Sequence, residues 1–389
     1  MQKGLVSKLA RVMREGVKKG GAYLAATSFR SRSYRVFGIP NGLTSSQNPP
    51  VELYPQAAME LLPPKTLDPV LYWRYREGLE KKRISQSAGL LLLEQATATA
   101  FGGNLTASGK LVTTFLQSIE GKSPHQHDLF RFSTKRFFPK IYRSERPIVT
   151  LAASWQGAFY HWMYEVLPRI HLAEKGGHCL DCVYAAQSEP FQRESLELMG
   201  LPKESIVDAT RFDAVAAPSI IVPSIPNPPT KWGCDFLRKR LLPKLEILPR
   251  KRIYVSRRDA GRRRVENEEE VYGLLKRYGF ERVELASRPF KEQMELFRSA
   301  EMVVGPHGAG FSHLAFSDPG TPFLEFFHPG YVNICYWNLC NIMGHPYYYL
   351  FGEGDQYPDR FDPHIDPDMT IDLKKLEKTL ELMLDDYNR

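Results

Sequence analysis

From residue 147 onward, short apolar runs of strand length alternate with longer stretches of helical period, and this alternation leaves the chain few folds to choose from. Residues 148–153, 183–186, 206–208 and 220–222 read as strands, and residues 160–173 and 190–199 as helices, the second with Pro190 at its start. A strand–helix–strand order needs a crossover connection, which makes successive strands parallel and sets helices on the sheet faces. Prolines 223, 226, 228 and 229 then interrupt the pattern. Each fixes φ and removes a donor, so this stretch reads as a stiff linker. The alternation resumes after it. Strands are expected at 252–255, 283–285, 302–304 and 323–327. Residues 234–248 begin the second half, and helices are expected from a capping box of Asn267 and Glu270 to Gly279, at 289–299, at 311–316 and at 373–384. The expected fold class is α/β, with two Rossmann-like halves facing a cleft in which ligands bind. The boundaries follow: a basic segment 1–36, an acceptor-side domain 37–230 and a nucleotide-binding domain 231–389, whose last helix, 371–386, is free to pack back on the N-terminal domain.

Composition narrows the class further. The chain has 389 residues, 43% hydrophobic and 25% charged, which excludes a disordered chain, a collagen or a disulfide miniprotein. The sequence contains no apolar run long enough to read as a spanning helix. The net charge of +8 resides entirely in residues 1–36, where nine Lys/Arg face the single acid Glu15. Leu5, Leu9, Val12, Met13 and Val17 recur there at helical spacing, with Lys8, Arg11, Lys18 and Lys19 at other angles. The segment reads either as a basic amphipathic helix for an anionic membrane surface or as a solvated arm. A nucleic-acid-binding function would rest on this segment alone, and no nucleic acid is expected as a partner. Five scattered cysteines fit free thiols in a cytoplasmic protein, peripheral on the inner face of the membrane if the arm docks there. The Cys179–Cys182 pair and the polar loop His125–Asp128 lack the further ligands that a metal site needs.

Four elements can carry chemistry. The run Gly305-Pro306-His307-Gly308-Ala309-Gly310 follows a strand and precedes a helix, where backbone N–H groups suit a phosphate. Its spacing is neither GxGxxG nor a Walker loop, which disfavours a dehydrogenase or a P-loop NTPase. Arg257, Arg258, Arg262, Arg263 and Arg264 leave the end of the first strand after the linker. Arginines there can clamp a diphosphate, with Arg258, Arg262 and Arg263 expected to be solvated. Glu325 sits between apolar residues in a strand and needs a partner, either a ribose diol or a structural cation. His161 and Glu165 stand at i, i+4 on one helix face, an arrangement for a general base oriented by a carboxylate or for a satisfied core histidine.

Together these elements resemble the family 61 glycosyltransferases over roughly residues 147–350. The resemblance is strongest from Tyr254 to Glu325: the Ser-Arg-Arg strand end, Arg264 with Asn267 and Glu268, the Gly-Pro-His-Gly-Ala-Gly loop, and Pro319-Gly320 before the strand bearing a glutamate. The stretch from Phe159-Tyr160-His161-Trp162 to Leu167-Pro168-Arg169 looks like the family's N-terminal motif. The resemblance implies a GT-B fold and an inverting, metal-independent transfer from a nucleotide sugar, typically UDP-linked, to a glycan or glycolipid hydroxyl. It also implies a place in bacterial surface polysaccharide assembly. Arg257, His307, Gly308, Ala309 and Gly310 would face the donor diphosphate, Arg264 would support them, Glu325 would sit by the nucleoside, and His161 with Glu165 would line the acceptor side. No cofactor is expected beyond the sugar nucleotide. The one DxD, Asp366-Pro367-Asp368, reads as a helix-cap turn rather than a metal site. The alternative is a nucleotide or sugar binder that keeps the frame without transferring.

Overall fold

The computed structural model describes residues 43–45, 49–81, 83–115, 140–227, 229–354 and 367–389. The basic segment 1–36, the His125–Asp128 loop, Pro228 and Asp366 lie outside the described residues.

The C-terminal half is built on a five-stranded sheet in the order Phe280–Val283, Lys251–Val255, Ala300–Pro306, Phe323–Phe327, Tyr347–Phe351, with every neighbouring pair parallel. The order reverses direction between Lys251–Val255 and Ala300–Pro306. Helices leaving these two neighbours diverge, and a crevice opens at their carboxyl ends. Ser256-Arg257 and His307-Gly308 stand at that switch point. Central burial explains the unbroken apolar reading of these strands, since all five residues of Phe323–Phe327 are buried.

The N-terminal sheet departs from the expected Rossmann-like half. Ile148–Thr150, Val183–Ala185 and Ile206–Asp208 are parallel, as the alternation predicts. They continue into Ala214–Pro223, which runs antiparallel to the twelve-residue strand Ala88–Thr99. The sheet is therefore mixed, with ten described strands. Only 220–222 reads as strand in the sequence because Pro218 interrupts the run; Pro218 falls opposite Gln95, whose φ of 49° marks a local irregularity where no ladder bond is required.

The chain does not divide cleanly at residue 230. Residues 61–81 lie in the half assigned to the N-terminal domain yet pack on the C-terminal sheet. Lys65 bridges to Tyr348, the Trp337 indole donates to Leu62 O (2.8 Å), and Tyr75 of the helix Trp73–Glu80 stacks on Tyr349 at 4.8 Å. Conversely, the helix Lys231–Leu241 returns to the N-terminal half, where Arg240 meets Glu174 at 3.1 Å and the carbonyl of Met199. One apolar core accordingly runs from Val149 and Leu167 through Leu237 to Val303 and Phe323. The last helix, Leu373–Tyr387, buries Leu376, Leu380 and Met383 against the outer face of the five-stranded sheet. It meets the N-terminal region through the ion pairs Lys375–Asp68 (2.5 Å) and Lys65–Asp386 (2.6 Å). Its N-cap is Asp372, whose carboxylate accepts from the N–H groups of Lys374 and Lys375, and Asp368 is not the cap. Among the described residues no helix is long and apolar enough to cross a membrane.

Candidate active site

The switch point gathers positive charge. Arg257 leaves the end of Lys251–Val255 and lies against Gly308, the residue before the 3₁₀ helix Ala309–Phe316. An added Cβ at Gly308 would fall 2.2 Å from Arg257 Nη1, and one at Gly310 would fall 2.5 Å from Leu285 Cδ1. Both glycines thus make room for side chains of this chain, whereas the sequence reading gave that room to a ligand. Arg257 donates two long hydrogen bonds to the carbonyl of Arg262, at 3.4 and 3.3 Å. Burial, reinforced by Arg263, pushes its pKa down to about 10 despite the opposing pull of Asp259. A buried guanidinium beside a like charge is one that an anion would stabilise.

Arg263 is not the solvated arginine expected. It adopts φ 57°, half-buried, with its guanidinium 5.2 Å over the Tyr331 ring. Arg258 is also engaged, at 2.7 Å from Glu269 and 3.6 Å from Glu268. Arg264 turns away from the crevice into a bidentate pair with Asp368, at 3.0 and 2.8 Å, and its own N–H reaches Asp368 at 2.7 Å. This pair fixes the segment 367–371 beside Val265, so Arg264 supports the loop from behind. Asn267, expected as a helix cap, instead brackets the backbone of Ile371 with both amide atoms at 2.9 Å.

Beneath the loop lies a buried polar chain. His307 Nδ1 meets Glu325 Oε1 at 2.5 Å, Tyr347 donates to Glu325 Oε2 at 2.7 Å, and the Tyr75 and Tyr347 hydroxyls are 2.8 Å apart. Glu325 is 0% exposed with both oxygens occupied. The ribose diol considered as its partner is therefore replaced by a histidine and a tyrosine. Burial drives the Glu325 carboxyl well above its ordinary range. Burial, with Arg263 and Arg257, drives His307 well below its own. Both shifts favour a neutral pair, in which the carboxylic acid donates to Nδ1 and the ring N–H resides on Nε2. Tyr75 and Tyr347 carry no sequence signal for this role. They meet Glu325 only because a helix from the first eighty residues packs on the sheet's last strand.

Across the crevice, His161 Nδ1 and Glu165 Oε1 are 2.8 Å apart, with Glu165 buried and His161 about one-third exposed. The helical period over 160–173 resolves into a short α-turn Phe159–His161, a π-turn Trp162–Val166 and the helix Pro168–Lys175. Pro168 cannot donate to the carbonyl four residues back, and the preceding turn widens so that Leu167 N–H bonds Trp162 O at 3.0 Å. Arg169 is buried behind Glu165 and donates to the carbonyls of Pro223 (3.1 Å) and Ala152 (3.0 Å), holding two strand ends to this turn. Burial lowers its pKa to about 9, with Glu165 pulling the other way. Ring contacts connect the two sides: Tyr160 to Tyr336 at 5.8 Å and Tyr336 to His307 at 5.3 Å.

The halves also meet around a cavity of about 490 Å³, lined by Phe159 and Phe191 on one wall and Arg257, Leu285, Gly308 and Gly310 on the other. Glu194 crosses it to accept from the N–H of Phe290 at 2.7 Å, fixing the start of the helix Phe290–Arg298. A cavity of this size accommodates a nucleotide.

Residues 159–324 match the family described as Glycosyltransferase 61. Over this segment the chain is similar to that family. The match contains His161, Glu165, Arg257, Arg264, His307, Gly308, Ala309 and Gly310 and stops one residue before Glu325. The EGF domain-specific O-linked N-acetylglucosamine transferase of Drosophila melanogaster is 33% identical over 94 residues, 23% of this chain and 18% of its own length. The match therefore includes both sides of the crevice, and the chain spans less than a fifth of that curated relative.

Proposed function

We propose that this chain is an inverting glycosyltransferase of GT-B type, moving a sugar from a UDP-linked donor to a glycan or glycolipid hydroxyl. The nucleoside enters the cavity between Phe159 and Leu285, and its diphosphate lies against Arg257, Arg263 and the N–H groups following Gly308. His161 accepts the proton of the acceptor hydroxyl on Nε2 while Glu165 holds Nδ1–H and stabilises the imidazolium. The acceptor oxygen forms its bond to the anomeric carbon from the face opposite the leaving group. The C–O bond to phosphate breaks, and its electron pair departs with UDP. The guanidinium pair and loop amides offset that charge, so the mechanism calls on no metal or cofactor. The basic arm 1–36 would hold the enzyme peripherally on an anionic inner leaflet, where a cytoplasmic enzyme meets the precursors of bacterial surface polysaccharides.

One observation carries the reading: within a family 61 match, Arg257 lies against Gly308 at the sheet's switch point, largely buried and with Arg263 as a like-charged neighbour. A thermal-shift screen of nucleoside diphosphates and sugar nucleotides tests it. At about a hundred times Kd the selected nucleotide should stabilise the protein by ~2.7 kcal/mol. A screen in which no nucleotide raises Tm removes the reading, and nucleotide binding without sugar transfer supports the non-catalytic alternative.

A further inference from the structure

Trp155 takes no part in the mechanism above, and it lies outside the family 61 match. It is a large apolar side chain left 50% exposed. Its indole lies beside the His161 ring and nearly parallel to it, with centroids 6.0 Å apart and planes at 28°. Half of its surface is open beside that histidine. The turn that presents it is tied down on both sides. Ser154 Oγ donates to Phe101 O at 2.8 Å, Gln156 Nε2 donates to Ala100 O at 2.9 Å, and Gln192 donates to Gln156 O at 2.8 Å. Ala158 N–H closes the turn on Trp155 O at 2.9 Å. The indole is therefore held out by a fixed scaffold. Beside it, a Cβ on Gly157 would meet nothing within 4 Å, and the facing loop carries a second exposed aromatic ring, Phe101.

A half-exposed aromatic ring with free space beside it, adjoining a histidine held by a carboxylate, matches the apolar face of a pyranose, whose axial C–H bonds stack on an indole while its hydroxyls remain at the ring edge. We propose that Trp155 is the stacking platform for a carbohydrate acceptor, seating the sugar whose hydroxyl is presented to His161. This deepens the glycosyltransferase reading by naming the acceptor class as a sugar ring, as opposed to a polypeptide or a lipid tail.

The test uses the full chain and its Trp155→Ala and Trp155→Phe variants. Each is labelled and applied to an array of immobilised oligosaccharides in the presence of UDP, with UDP affinity read separately by calorimetry. Wild type should retain a set of glycans, Trp155→Ala should weaken them about tenfold, and Trp155→Phe should restore most of the loss. UDP affinity should be equal in all three. Glycan binding that Trp155→Ala leaves unchanged overturns the platform, as does a wild-type protein that binds UDP and no glycan. Failure of UDP to bind wild type counts against the donor reading, while the glycan comparison still decides the role of Trp155. If Trp155 merely shields His161, Trp155→Ala would alter turnover with glycan affinity intact, and that result also overturns the proposal.

Discussion

Replacing Gly308 with alanine separates the proposed diphosphate site from the stability of the fold. The added methyl would lie 2.2 Å from Arg257 Nη1 and 3.2 Å from its Cζ. Ordinary contact needs about 3.5 Å or more, so the guanidinium must withdraw by more than ~1 Å. The backbone does not resist the change, because Gly308 has φ −171°, extended geometry that alanine adopts freely. The atom that must yield is the end of a flexible side chain, so the unliganded protein should lose less than ~0.5 kcal/mol. Ligand binding should respond very differently. A charge-assisted hydrogen bond contributes about 1.5–3 kcal/mol, so displacing Arg257 should weaken UDP by about 10- to 150-fold. Calorimetry on wild type, Gly308→Ala, Arg257→Ala and the double variant measures this. Because both substitutions act through one guanidinium, the double variant should bind no more weakly than Arg257→Ala. Wild-type affinity in Gly308→Ala, or fully additive losses in the double variant, would refute the reasoning.

Two further outcomes concern the buried groups. Glu325→Ala leaves the buried His307 Nδ1 without its partner and the Tyr347 hydroxyl with Tyr75 alone, and should cost about 3 kcal/mol, read as a lower urea midpoint. Tyr75→Phe, at the end of the same chain, should cost about 1 kcal/mol; equal stability in both variants would mean that this polar chain contributes nothing. Burial lowers His345 to about 4 and His313 to about 3. Below about pH 6.5 the unfolded chain takes up protons that these histidines refuse, so stability should fall as pH drops from 6.5 towards 4, by roughly 3 kcal/mol for His345 alone. His345→Gln keeps a donor for the carbonyl of Leu314 and should flatten the slope of Tm against pH, and an unchanged slope would show that His345 is not its source.

The central strands were legible because burial on both faces writes continuous apolar runs: Phe323–Phe327 and Val183–Ala185 fall where the alternation puts them. The helix Cys335–Met343 and the strand Tyr347–Phe351 were not read. Both are rich in aromatic residues whose meaning comes from the Trp73–Glu80 helix packing on them, a contact between segments over 250 residues apart in the chain. For the same reason Glu325 announced a need for a partner without revealing which one. His161 with Glu165 was legible because i, i+4 spacing survives into the π-turn, whereas Trp155 looked like any loop tryptophan until its stacking on His161 gave it a place. The contacts of Arg264 and Asn267 were not legible because their partners, Asp368 and Ile371, are about a hundred residues away and leave no local signal. Residues 224–227 and 229–230 do lie outside helix and strand, between Ala214–Pro223 and Lys231–Leu241, but prolines report local stiffness and say nothing of a core that continues past them.

The central claim is tested most directly by incubating the full chain with a panel of sugar nucleotides and following each anomeric signal by NMR. The account predicts that one donor is consumed with release of its nucleoside diphosphate. The new sugar signal should have inverted anomeric configuration, and turnover should fall about 10²- to 10⁴-fold in His161→Ala while UDP still binds. A folded wild-type protein that consumes none of them, or His161→Ala and Arg257→Ala variants that turn over like wild type, would contradict it.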